Sequence, residues 1–465
     1  QLLSTGRAPV MDMSKKCHFH GFISHIWSTG QDQTHTIVRQ MKLVMPDVRI
    51  WLDVDCLENL GALEESVGDA TTFLVFLSVG YFKSRNCRRE LYAGLALDRP
   101  FIPIHEADVE KGGAALEVLK AECRAHCVDD AGLGTYPSYL GPAEMVFRIF
   151  EKEDPILWVR VNAFQLESLK SIALRMLRHS PYYMRSPNIL TAGAMVPGEV
   201  PPYAFVGPVT ILVCRDNDGA WSVAEEVQEA AKTGRALAPK AAKDGVVAIR
   251  EADDALETAD ALPGNSRHVL LLYMTDRLWY DPDGTVAWLV QAAMDRKITI
   301  AMVHEQTPNL GGCPFSTFFQ GQTPQVLLQP PYSLYNALAI PLYGSPEHRK
   351  VSLRHVLRHM GAVSCDAGLL RRKLQRLRHF MSVARLVRIR APVESQEDIL
   401  QRRIRTDKIN SSRRLSEGSD LEQSRRQTEG SGPEQSTIAP LRGFRPRRRG
   451  PAAAAAVAAA AVAAV

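Results

Sequence analysis

The residue of this chain best placed to do chemistry is a glutamate in a helix that directly follows an apolar strand. Glu90 lies in Asn86-Cys87-Arg88-Arg89-Glu90-Leu91, just past the run Phe73-Leu74-Val75-Phe76-Leu77. Its neighbours at i±3 and i±4 are Asn86, Cys87, Ala93 and Gly94, none of them basic, so the usual partner of a surface helix carboxylate is not at hand. With Ser84 or Asn86 as N-cap, Glu90 is not at N3 and serves no capping box. It borders the stripe Cys87, Leu91, Leu95. A carboxylate there reads as the wall of a cleft, able to stabilise positive charge that develops on a bound ligand. The plainer alternative is a solvated helix glutamate.

Ser24, His25 and Trp27 fall where a first strand ends. In an open parallel sheet, strand ends gather at the edge that binds ligands, so these three residues should share an edge with Glu90. The Trp27 ring can stack on a flat base or simply cover the first loop. His25, with an ordinary pKa near 6.5, titrates near neutrality; ligand contact and plain packing both fit it. Asp53 and Asp55 open an acidic loop, 53–61. That loop lacks the later ligands and glycine of a calcium-binding loop, so it reads as a gate or a contact with another copy. Cys123 and Cys127 flank His126 without the second ligand pair that zinc needs, so no metal site is expected. His105-Glu106 and His304-Glu305 have no HExxH spacing, and neither a G-x-G-x-x-G nor a P-loop occurs.

The elements that must position these residues alternate between strand and helix. Phe19 to Ser24 reads as a strand, followed by a helix with Ile37, Met41 and Val44 on one stripe. A strand at 48–52, a short helix at 63–67, the apolar strand ending at Leu77, the Glu90 helix and a strand at 101–104 follow. The stretch 156–177 reads as one closing helix, with Leu166, Leu169, Ile172, Ala173 and Met176 at spacings of three and four. Such alternation implies an α/β fold with a parallel sheet and right-handed crossovers.

A second stretch repeats the pattern. The segments 72–106 and 268–305 each run from an apolar strand through a hydroxyl residue (Ser78, Thr275) into a helix. Each helix closes on Asp-Arg (Asp98-Arg99, Asp295-Arg296), and each second strand ends in His-Glu. Counting from Ser78 and Thr275 sets Glu90 opposite Ala287. The second copy is therefore expected to keep the fold and lack the carboxylate. The boundaries read as a polar lead-in over 1–16, an α/β domain over 17–178, a linker over 179–206 and a second α/β domain over 207–361. A basic tail over 362–451 and an Ala/Val tract over 452–465 complete the chain.

The first domain resembles the Toll/interleukin-1 receptor (TIR) family. Four motifs carry the resemblance, in order: Phe22-Ile23-Ser24-His25; Trp51-Leu52-Asp53-Val54-Asp55 with Leu57 and Gly61; Phe76-Leu77-Ser78-x-Gly80-Tyr81-Phe82-x-Ser84; and Asn86-Cys87-x-x-Glu90-Leu91. The resemblance implies a flavodoxin-like, doubly wound five-stranded parallel sheet, with a degenerate TIR-like domain behind it. Some TIR proteins are scaffolds that assemble through the loop after the second strand, which matches 53–61. Others cleave the nicotinamide–ribose bond of NAD with a glutamate that matches Glu90. That cleavage builds positive charge on the ribose while its leaving group is already cationic, so one carboxylate can suffice. The resemblance thus implies an NAD glycohydrolase in intracellular signalling, with Glu90 catalytic and Ser24, His25, Trp27 and Asp53 toward NAD as substrate; no further cofactor is implied. The alternative is a non-enzymatic scaffold that pairs with itself or other TIR domains. Where the family often has an aromatic followed by Arg, this chain has His25-Ile26, and one expected polar contact to NAD is missing.

Charge and cysteine content bound the rest. The net charge of +5 is concentrated in 367–450, where 21 Lys and Arg face 9 Asp and Glu. The remainder is net acidic, which argues against a nucleic-acid surface on the folded part. Eight cysteines without a CxxC pair suit reduced thiols in the cytoplasm. No leader is read at the start, but the sequence opens on Gln1 rather than Met, so that carries no weight. From Pro392 onward the composition favours disorder. The Leu370–Arg390 stripe offers a weak membrane or partner contact. Arg413-Arg414-Leu415-Ser416 and Arg425-Arg426-Gln427-Thr428 read as basophilic kinase sites.

Overall fold

The computed structural model describes residues 1–52, 63–128, 133–136, 140–239, 242–257 and 264–365. Asp53, with the loop 53–61 expected to mediate self-association, lies outside the described residues. So do the basic tail from 366 with its kinase-type motifs, and the Ala/Val tract.

Five parallel strands make the first sheet: β1 (Phe19–Ser24), β2 (Ile50–Trp51), β3 (Ala70–Leu77), β4 (Phe101–Glu106) and β5 (Ile156–Trp158). Their order is β2-β1-β3-β4-β5. β6 (Tyr203–Ala204) pairs antiparallel with β12 (Val363–Ser364). Five more parallel strands form the second sheet: β7 (Val209–Val213), β8 (Val247–Glu251), β9 (Arg267–Met274), β10 (Thr299–Glu305) and β11 (Ile340–Leu342), in the order β11-β10-β9-β7-β8. Counted within its own half, each sheet runs 2-1-3-4-5, the doubly wound order of flavodoxin-like folds. Both lie in one compact unit.

The helices of the first half are α1 (Trp27–Val44), α2 (Leu63–Gly68), α3 (Arg85–Ala96), α4 (Leu116–His126), α5 (Pro142–Val146) and α6 (Asn162–Arg178). After α7 (Pro181–Arg185), the second half carries α8 (Ala220–Leu237), α9 (Ala252–Glu257), α10 (Thr285–Asp295), α11 (Gln325–Leu328) and α12 (Pro346–His359). Residues Phe73 to Leu77 of β3 are wholly buried because helices cover both faces of the sheet. The pleat deals them out by twos. Phe73, Val75 and Leu77 join Cys87 and Leu91 of α3 in one core. Leu74 and Phe76 join Ile37, Met41 and Ile172 in the other.

One expectation changes here. The stretch 156–177 is not one helix: Ile156–Trp158 is the fifth strand, and α6 starts at Asn162. A three-residue edge strand leaves no period for a pattern to detect. The segments read as lead-in and linker touch: Leu2 is buried and bridges Ala194, and Tyr183 is buried with its hydroxyl accepting from the Val10 amide at 2.8 Å.

Several backbone bonds recur in both halves. Tyr81 N donates to Ser78 O, and Leu278 N to Thr275 O, both at 3.2 Å. Val79 N donates to Gly112 O, and Asp276 N to Gly311 O. Arg99 N donates to Gly94 O, and Ile298 N to Ala293 O, after Asp98 and Lys297 with φ of 48° and 56°. The helix-end match sets Glu90 opposite Leu289, which replaces the counterpart Ala287 obtained by counting from the hydroxyl residues. Two extra residues in the loop before α10 cause the slip, and the shared Asp-Arg pair is out of register for the same reason.

The halves meet through α6 and α12. Val159 N donates to Ser168 Oγ, and Tyr343 N to Ser352 Oγ, each at 3.4 Å, so Phe164 and His348 are counterparts. They stack on one another at 6.3 Å, and Ser168 Oγ meets His348 Nε2 at 2.9 Å. A residue touching its own counterpart is the mark of an isologous contact.

Candidate functional site

Parallel order 2-1-3-4-5 reverses direction between β1 and β3, and ligands bind at the C-terminal strand ends beside such a switch. Ser24 is the last residue of β1, 1% exposed, and α3 returns along this edge. Ser84 caps α3 by accepting from Cys87 N at 3.4 Å. The helix buries Cys87 and the whole turn from Glu90 through Gly94, with Glu90 at 7% exposure. Ser24 Oγ donates to Glu90 Oε2 at 2.5 Å and lies 2.7 Å from Tyr81 Oη. A serine hydroxyl has one proton. With that proton on Glu90, Tyr81 is the donor to Ser24. Burial first, then the neighbouring Cys87 and Glu90, pushes the Tyr81 phenol well above its ordinary pKa, so it keeps the proton it donates.

The loop that carries Tyr81 is held at several points. Glu122 of α4 accepts from Gly80 N and Phe82 N, both at 3.0 Å, so a single carboxylate grips the backbone on either side of Tyr81. Thr29 Oγ1 of α1 meets Ser78 Oγ at 2.8 Å. Gly80 has φ of +87°, a left-handed geometry that glycine adopts without cost. On α3, Arg89 spends its guanidinium on Glu64 of α2 in two contacts of 2.9 Å.

The other sequence candidates are spread around the same edge. His25 is buried, and its carbonyl accepts from Cys87 Sγ at 3.3 Å, tying the end of β1 to α3. Trp27 opens α1 and is 61% exposed. Ser24 is engaged with Glu90, so its hydroxyl aims the carboxylate. The sequence marks Tyr81 only within the third TIR-like motif, three residues after Ser78, and gives it no role of its own. Glu122 gave none, since it lies some forty residues from the amides it holds. Cys123 and Cys127 are both buried in the core, where contact with Cys127 and burial push the Cys123 thiol pKa up. Among the described residues no group of His, Cys, Asp and Glu is arranged to hold a metal, and no helix is long and apolar enough to cross a membrane.

The second half keeps the scaffold of this edge and drops its polar centre. Phe22 pairs with Phe73 and Leu212 with Leu270, so Ser24 corresponds to Cys214. Tyr81 corresponds to Leu278 and Glu90 to Leu289. All three replacements are buried in one apolar core. A second polar device is kept in both halves. His105 Nε2 meets Ala114 O at 2.7 Å, and His304 Nε2 meets Cys313 O at 2.8 Å; burial lowers both imidazole pKa values. Glu106 and Glu305, both fully buried, accept the amides of Asp108 and Thr307 two residues on, at 3.0 and 2.8 Å. Arg160 closes the first device on Glu106 at 2.7 Å, and Tyr273 the second on Glu305 at 2.8 Å.

Compared with known proteins, the chain matches no family model and no curated protein.

Proposed function

We propose that the first half is a TIR-type signalling module that cleaves the nicotinamide–ribose bond of NAD, with Glu90 as the catalytic carboxylate. One observation supports this reading: a nearly buried carboxylate, held by the Ser24 hydroxyl, stands at the switch point of a sheet whose twin does without it. Burying a carboxylate is costly, and the second half reaches the same strand order with Cys214, Leu278 and Leu289 in its place. The polar cluster is therefore not a requirement of the architecture. A carboxylate at this edge supplies negative charge where an oxocarbenium-like ribose would develop positive charge, in surroundings of low dielectric that strengthen the interaction. Trp27, exposed at the end of the same strand, offers a face for a flat ring.

The test is nicotinamide release by the full chain incubated with NAD, at several protein concentrations, beside Glu90→Ala and Glu90→Gln. Both variants should lose on the order of a hundredfold or more. Equal rates in wild type and Glu90→Ala, or no release at high protein concentration, would leave the scaffold reading, in which the module acts only by pairing with other TIR domains.

A further inference from the structure

The structure assigns Tyr81 as a positioning residue that acts on Glu90 through Ser24. The inference rests on the NAD reading for its rate readout.

The geometry of the three side chains is directional. Glu90 accepts from Ser24, and Ser24 accepts from Tyr81. Ser24 could otherwise turn its proton toward another acceptor, because a hydroxyl rotor is free to follow its partners. The Tyr81 hydroxyl removes that freedom: with a donor already at its lone pair, Ser24 keeps its own proton on Glu90. Tyr81 is itself fixed. Its side chain is fully buried, its ring meets Phe82 edge-on at 5.1 Å, and Glu122 holds the amides on both sides of it. The chain of control therefore runs from α4 through the loop after β3 to the end of β1, and from there to α3.

The second half supplies an independent argument. If Tyr81 and Ser24 served the fold, a sheet of the same order and register would retain one of them. Instead Cys214, Leu278 and Leu289 replace all three members, while the Ser78–Tyr81 and Thr275–Leu278 backbone bonds remain identical. The three side chains are lost as a unit, as expected for groups that have no purpose without the carboxylate.

A double-mutant cycle in the full chain tests the assignment. Tyr81→Phe keeps the ring and removes the hydroxyl; kcat for nicotinamide release should fall about fivefold with little change in KM. Ser24→Ala removes the bond to the carboxylate itself and should lower kcat about thirtyfold, with Ser24→Thr, which keeps a hydroxyl, recovering most of it. The decisive variant combines Tyr81→Phe with Ser24→Ala: its kcat should equal that of Ser24→Ala alone. Additive losses, or an effect of Tyr81→Phe on KM rather than kcat, would overturn the assignment. A second readout is independent of turnover. In full chain carrying carbon-13 at glutamate carboxyls, the Glu90 resonance, identified by its absence in Glu90→Gln, should move in Tyr81→Phe. It should move no further in the double variant than in Ser24→Ala. An unmoved resonance in Tyr81→Phe overturns the positioning role even if NAD is cleaved. A wild-type chain that releases no nicotinamide overturns the NAD reading and leaves the resonance to decide the role of Tyr81.

Discussion

The two halves of this chain share a sheet order, strand registers and turn hydrogen bonds, and they differ in what fills the edge where β1 and β3 part. In the first half that edge holds Ser24, Tyr81 and Glu90; in the second, Cys214, Leu278 and Leu289. The buried His-Glu device at the end of the fourth strand is present in both. The difference sorts buried polar groups by purpose. His105-Glu106 and His304-Glu305 satisfy the backbone of the crossover after the fourth strand, a need both copies have, since buried amides must be paired. Ser24 satisfies Glu90 and Tyr81 satisfies Ser24, and the half without the carboxylate has neither hydroxyl.

The comparison can be broken most forcefully by giving the second half what it lacks. Leu289→Glu places a carboxylate in an apolar core with no hydroxyl donors beside it. It should destabilise the chain by about 4 kcal/mol, read as a fall in the urea midpoint. A loss below about 1 kcal/mol would mean that the second edge still accommodates an acid.

Next come the shared devices. Glu106→Ala removes the partner of the Asp108 amide and the carboxylate partner of Arg160, and Glu305→Ala removes the partner of the Tyr273 hydroxyl and the Thr307 amide. Each should cost about 3 kcal/mol, and similar losses in the two would confirm one structural task performed twice. A loss confined to one variant would end that equivalence.

A smaller effect is expected from moving the first half toward the second. The triple change Ser24→Cys, Tyr81→Phe and Glu90→Leu removes a whole satisfied cluster instead of orphaning part of it. Its stability should stay within about 1 kcal/mol of wild type, while nicotinamide release disappears. Glu90→Leu alone, which leaves the buried Ser24–Tyr81 pair without its acceptor, should be the less stable of the two. The reverse ranking in urea denaturation would show that the hydroxyls serve the fold.

The last effect depends on pH and lies at the seam, where Phe164 meets its counterpart His348. Burial lowers the His348 pKa to about 4, below the ordinary value of about 6.5. Between those values the folded chain binds fewer protons than the unfolded one, so stability rises with pH. This contribution is complete above pH 6.5 and is lost as pH falls toward 4. His348→Gln should flatten that part of the urea-midpoint profile; an unchanged slope would assign it to other groups.

Much of the fold was legible in the residue order. The apolar run through Leu77, the capped helix after Ser84 and the His-Glu endings mark strands and helices by local pattern alone, and they announce an α/β repeat. The fifth strand was not legible, because Ile156–Trp158 is short and runs directly toward a strongly periodic helix. For the site, residue type and helical spacing singled out Glu90 and placed Ser24 at a strand end. Its true counterpart, Leu289, was hidden by a two-residue difference in loop length, which counting cannot see and hydrogen-bond register can.

What the sequence by itself determined is therefore the set of elements and the presence of one helix carboxylate beside the strand ends, since both depend on spacings of two, three and four residues. Which hydroxyl meets that carboxylate depends on the packing of distant elements. Ser24 and Glu90 are 66 positions apart, and Glu122 lies 40 from Phe82. Such meetings are fixed by the order in which parallel strands cross over, and no local period records them.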